Sequence, residues 1–201
     1  MNLKENKILT LALIEEYNPD SDFLSDDEDI IARINSIYNA CLMNLATTIR
    51  KIQRTYTYDE LEKTETDYYE EVSIPQDCYM IRDIIVKDRE TNAIKGIQAD
   101  YQRQDDKTLL INCKTDGVHI LRYYAYPKHI PLDLKDDEKY KFDIDQELQY
   151  VLPYAVASDI LKSDRSVDYT AFENKYRTEL SRLTPQKEEM QVFINDNGLE
   201  F

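Results

Sequence analysis

Adjacent carboxylates are the first residues here that could do chemistry, because two acids held across a cleft can share general acid and base work. Four pairs stand out: Glu15-Glu16, Glu70-Glu71, Asp105-Asp106 and Asp136-Asp137. Adjacency alone does not supply the separation of about 5–9.5 Å that glycoside hydrolysis needs. With 40 Asp and Glu in 201 residues, such pairs arise without function, and a solvated surface is their ordinary reading. The loop Asn18, Asp20, Asp22, Asp26 and Asp29 spaces oxygen ligands loosely like a calcium loop. Phe23 stands where the turn wants glycine, and the twelfth position is Asp29 rather than Glu. Glu5-Asn6-Lys7 and Glu173-Asn174-Lys175 have the E-x-K form of metal-dependent nucleases. Neither falls on a predicted strand behind a suitably placed acid.

The nucleophiles and soft ligands are few. Cys41, Cys78 and Cys113 form no CxxC pair, and His119 and His129 are not near them at zinc-site spacing. Buried free thiols made in a reducing cytoplasm are the expectation. Neither histidine has a sequence-evident nucleophile beside it, and no GxSxG, HExxH, Walker or DFG-type motif occurs. These absences point to a protein without catalysis, metal or cofactor.

Charge narrows the partners. Lys and Arg number 25, giving a net charge of −15. Such a chain is a poor general grip on nucleic acid or on an anionic membrane. Only three glycines occur, where average usage of ~7% would give about fourteen, which argues against glycine-rich phosphate loops. The first twenty residues lack the cleavage site of a signal peptide, and no run reaches the ~20 apolar residues of a membrane span. No membrane partner is expected.

The elements follow from periodicity. Residues 6–17 read as a short helix stopped by Asn18-Pro19. Ser25 and Glu28 have capping-box spacing, and the helix after them is expected over 26–53, about 40 Å long. Its core stripe is Ile30, Ile34, Ile37, Cys41 and Leu45, and Arg50, Lys51 and Arg54 complement its dipole. Residues 67–130 read as about five antiparallel strands, with Asp116-Gly117 as a two-residue hairpin. Helical period returns with Leu148, Leu152 and Val156. There Pro153 marks either a start near Tyr150 or a kink. A fourth helix over 168–183 carries Phe172 and Leu180 inward, and Pro185 ends it. The predicted fold class is α+β: a body of about four helices, an inserted antiparallel β domain and an extended C-terminal arm. The divisions are 1–54, 55–132, 133–184 and 185–201.

The stretch from Asp145 to Leu183 resembles the C-terminal helical pair of tailed-bacteriophage head-to-tail adaptors of the tail-tubular or tail-accessory type. The matching features are the apolar helix entered through Leu152-Pro153, the small residues Ala155 and Ala157, the polar turn Ser163-Asp164-Arg165 and the following Phe172/Tyr176/Leu180 face. The N-terminal part matches in kind, with an acidic loop, one long helix and then a β insertion.

The resemblance implies a virion protein made in a bacterial host cytoplasm and found in the neck between head and tail. It implies a homo-oligomeric ring, commonly of twelve copies, docked under the portal protein and joined to a tail or nozzle protein. DNA would pass through an acidic channel without specific binding. The expected partner-binding arm is Met190, Val192, Phe193, Ile194, Leu199 and Phe201, ordering on assembly against the portal or a neighbouring subunit. Sixteen tyrosines suit broad interfaces. Two other classes remain open: a virion-associated cell-wall hydrolase using an acidic pair, and a cytoplasmic protein-binding module.

Overall fold

A computed structural model describes residues 1–21, 24–58, 61, 69–98, 100–132, 134, 136–162 and 168–183. The fold is α+β, with four helices and two antiparallel sheets inserted between the second helix and the third.

Helix α1 spans Leu3–Leu13, starting earlier and ending sooner than the expected 6–17. A capping box sets its start: the Asn2 side chain accepts from the Glu5 amide at 2.9 Å, and Glu5 accepts from the Asn2 amide at 3.0 Å. The chain leaves the helix before Pro19, through Glu15 at φ 63°.

Helix α2 covers Glu28–Asn44. Its cap is Asp27, which accepts from the amides of Asp29 and Ile30, while Ser25 accepts from the Asp27 amide. The expected Ser25/Glu28 capping box is therefore replaced by a single cap two residues later. Nor does the helix reach 53, because it passes into a π-helical turn, Leu45–Ile49. There Thr47 and Thr48 donate back to the carbonyls of Met43 and Asn44, and Arg50 is extended. The three cations expected at the helix end are spent elsewhere. Arg50 pairs with Asp145 and Glu147, Lys51 lies over the Tyr124 ring, and Arg54 enters a strand.

Helices α3, Gln146–Leu161, and α4, Thr170–Arg182, complete the body. Helix α3 is buried on most sides and continues through Pro153, so it does not start near Tyr150. Proline has no N–H, which leaves the carbonyl four residues back without its helical donor. That carbonyl belongs to Gln149, and the Asn6 side chain donates to it at 2.8 Å. Tyr38 donates to Asn6 Oδ1 at 3.2 Å and shares a 2.6 Å hydrogen bond with Thr10. Asn6, Thr10 and Tyr38 are each fully buried.

Around this network Ile30, Ile34, Cys41, Leu45, Leu148, Leu152 and Val156 are buried as expected. Ile37 and Leu180 are only half-buried at the core's edge. Phe172 is half-buried outside the core. Helix α4 buries no residue fully, because it packs on the outside of α3.

The described residues form seven strands rather than about five: β1 Ile52–Tyr58, β2 Tyr69–Ser73, β3 Cys78–Lys87, β4 Ile94–Gln98, β5 Tyr101–Arg103, β6 Thr108–Asn112 and β7 Val118–Ala125. One sheet has the order β1-β7-β3-β4 and the other β2-β6-β5. They bury Tyr58, Ile84, Leu121 and Tyr123 against Leu109 and Ile111. Asp116-Gly117 is not a hairpin, since β6 and β7 lie in different sheets. Gly117 is still required there: its φ is +153°, and a Cβ would sit 2.4 Å from the Lys87 carbonyl oxygen.

The chain enters and leaves the β module side by side. Ile52 and Ala125 are paired neighbours, and Ile52 packs against both cores. Arg54 bonds Asp77 on the β side and Asp143 on the connector. The connector is more than polar linker. Ile130, Tyr140, Phe142 and Ile144 enter the helical core, and Asn39 brackets Ile130 with bonds of 2.8 and 2.9 Å. The strands therefore run from Ile52 to Ala125, against the expected strand span of 67–130.

Asn6→Ala is expected to cost roughly 1–3 kcal/mol, because it leaves the Gln149 carbonyl buried without a donor. In a Pro153→Ala background the backbone supplies that donor, so the cost shrinks. Urea unfolding of the four-member mutant cycle measures the coupling, and equal costs in both backgrounds would refute it. Replacing 53–124 with Gly-Gly should preserve the helical circular dichroism signal, since paired antiparallel Cα atoms lie only about 4.5–5.5 Å apart. Collapse of that signal would mean that the sheets complete the helical core.

Candidate interaction surfaces

The residues singled out for chemistry are dispersed. Asp137 pairs with the buried Lys7 at 2.8 Å, and Asp136 pairs with Lys139. Asp105 accepts from the amides of Lys107 and Thr108 to close a turn, and these bonds lower its pKa. Glu70 and Glu71 are successive residues of β2. In Glu5-Asn6-Lys7 every side chain is structurally engaged, Glu5 in the α1 cap, Asn6 with the Gln149 carbonyl and Lys7 with Asp137. In the other E-x-K run, Glu173 pairs with Arg177 and Lys175 with Glu179. Asn18 donates to Asp26, and Asp27 caps α2, so the calcium-like loop is held by its own bonds. Its Asp22 and Phe23 lie outside the described residues. Among the described residues no three His, Cys, Asp or Glu gather as a metal site. No helix among them is long and apolar enough to cross a membrane.

All three cysteines are buried and free. Burial pushes each thiol pKa above its ordinary value, with Asp159 adding to the effect at Cys41. They sit as small core residues.

His129 is held at the surface by Asn39. His119 is 1% exposed, on the strand face that packs inward, with neither ring nitrogen hydrogen-bonded among the described residues. Burial lowers its pKa and nearby Arg89 adds to this, while the Gly117 backbone and Asp116 oppose it.

Three surfaces could receive a partner. A cavity of about 680 Å³ opens between α1, the start of α2 and the connector. Lys7, Leu11, Ile30, Asn35, Leu134 and Asp137 are among its walls. On the sheets, Tyr79 packs on Tyr124 and Tyr126 at ring separations of 6.4 and 5.0 Å, with Lys51 over Tyr124. Tyr126 is exposed there, and Tyr56, Tyr69 and Met80 are exposed elsewhere on the strands.

The third surface is a groove of about 420 Å³ between the end of α1 and the end of α4, floored by α3. Leu9 and Leu13 form one wall, Leu183 and Glu179 the other, and Tyr150, Val151 and Tyr154 are in the floor. Leu9 is 46% and Tyr150 54% exposed. The residue-level expectations missed this groove. Its signal was present in α3, whose apolar residues extend all round the helix and exceed what one packed face needs.

The expected arm, Met190, Val192, Phe193, Ile194, Leu199 and Phe201, lies outside the described residues. So does the polar turn Ser163-Asp164-Arg165.

The class defined by these observations is an α+β protein with a helical body and an inserted two-sheet module. No protein-family model matches the chain, and no curated protein matches it.

His119 predicts acid sensitivity. The unfolded chain takes up its proton near the ordinary imidazole value of about 6.5, and the folded chain only at lower pH. Between those values the unfolded state binds more protons, so stability falls as pH drops through this window and levels off below the folded value. Urea midpoints at pH 7 and pH 5 measure the fall, which His119→Leu should reduce. An undiminished fall would place its origin elsewhere.

Proposed function

We propose that this chain is a head-to-tail adaptor of a tailed bacteriophage, a structural virion protein that forms a ring beneath the portal and joins it to the tail. The observation that carries the reading is the layout: two helical halves close into one body, and a separate β module enters and leaves between α2 and α3 at a single point. That is the organisation of the adaptors which the sequence resembles. The reading gives the body and the module different neighbours, with the body toward the portal and its sister subunits and the sheets toward the tail or nozzle protein.

Two further features support it. Leu9, Met43, Tyr126 and Tyr150 are large apolar or aromatic residues exposed on a single chain, as a subunit with several interfaces requires. The net charge of −15 suits a bore through which DNA slides, since basic walls would bind phosphates by releasing counterions. In this reading copy number is twelve, no cofactor takes part, and DNA is cargo rather than ligand.

Purified chain, alone and mixed with the portal protein of the same phage, tests the proposal by native mass spectrometry and electron microscopy. A closed ring seated on the portal is the expected result. A monomer that ignores the portal at high concentration would overturn it. Deleting 186–201 should leave the circular dichroism spectrum unchanged and abolish portal attachment. A truncated chain that attaches normally would remove the arm from the proposal.

A further inference from the structure

The geometry points to an occupant for the groove between α1, α3 and α4: residues 190–194 of the same chain, Met190-Gln191-Val192-Phe193-Ile194. The described chain ends at Leu183, which is itself part of the groove wall. Eighteen residues follow, so they set out from the rim of an uncovered apolar surface.

Composition and distance both fit. The first six of those residues, Thr184 to Glu189, are polar and contain Pro185. Helix–helix connections of about 2–8 residues commonly reverse the chain in bundles, so six suffice to turn it back. The next five carry the apolar side chains that such a groove takes up, and as an extended segment they would present Met190, Val192 and Ile194 on one side. Leu9, Leu13, Tyr150 and Val151 supply the matching surface.

Charge does not oppose the seating. The segment follows Glu188 and Glu189, but the groove's own carboxylates are already neutralised. Glu147 pairs with Arg50 at 2.9 Å, and Glu179 with Lys175 at 2.7 Å and Arg182 at 3.1 Å.

A short tether places the segment near its groove at about millimolar effective concentration, well above the concentration of a second copy in dilute solution. The occupant is therefore the chain's own segment. This inference does not rest on the adaptor reading and replaces its expectation that the arm orders only on assembly, and its experiment contains no portal.

The test compares the full chain with full-length Leu9→Asp and with full-length Val192→Asp/Ile194→Asp. Leu9 is exposed, and circular dichroism checks that each variant is folded. Hydrogen exchange should show protection of 190–194 in the parent chain, lost in both variants. The probe is a fluorescein-labelled peptide of residues 186–201. It should bind the Val192→Asp/Ile194→Asp chain at least about tenfold more tightly than the parent, whose groove is already filled in cis. It should not bind Leu9→Asp. Equal binding to parent and tail variant, or binding to neither, overturns the assignment. Protection that appears only where the chain self-associates assigns the groove to a second copy and likewise overturns it.

Discussion

The helical body depends on a missing proton. Pro153 stands in the middle of α3 and removes the donor for the Gln149 carbonyl. Left unsatisfied in the core, that carbonyl would cost about 1–3 kcal/mol. Asn6 fills the gap from another helix, and its own oxygen is in turn held by Tyr38 of α2. Gln149 extends the connection, donating to the Ile144 carbonyl at 2.8 Å and accepting from the Met1 amino group at 3.0 Å. A defect in one helix thus fixes the register of three. Hydrophobic packing alone tolerates sliding, whereas a buried hydrogen-bond chain with one geometry does not.

The β module is fixed by different means. Its core is separate from the helical one, and the junction is ionic and aromatic. Arg54 links Asp77 to Asp143, Tyr123 donates to Asp77 at 3.1 Å, and the Lys128 amide points at Asp143. These groups are part-buried, so they hold direction more than they add stability. Arg50, four residues earlier, repeats the arrangement with Asp145 and Glu147 at the start of α3. The cations that look from sequence like the end of a long helix are the fasteners of the joint.

Much of this was legible in the residues, and the errors share a cause. The α+β layout and the stripe Ile30, Ile34, Cys41, Leu45 follow from local periodicity, and the structure has them. The end of α2 was missed because Ile49 and Ile52 continue the apolar spacing, while the switch to a strand depends on Thr47 and Thr48 bonding backwards. Asp116-Gly117 looked like a hairpin, yet the flanking strands belong to different sheets, which no local window records. Ile37 and Phe172 have the right spacing for a core but too few helices around them to cover it. The groove on α3 was invisible for the opposite reason, since it exists only where three distant segments leave a gap. The role of Pro153 was half legible: its cost was plain, but the Asn6 that answers it is 147 residues away.

The pairing of Ile52 with Ala125 has a mechanical meaning. Both tethers of the β module leave the body side by side, as two covalent chains loaded in parallel. Tension drawn through the module runs along β1 and β7, at right angles to the hydrogen bonds between them. Those bonds carry little of an axial pull. A sideways force that parted α2 from α3 would act differently, opening the ladder from the Ile52 end one bond at a time, like a zipper. Arg54, two residues inside that end, ties β1 to the connector leading into α3. The joint is thereby stiff along its length and latched against splaying.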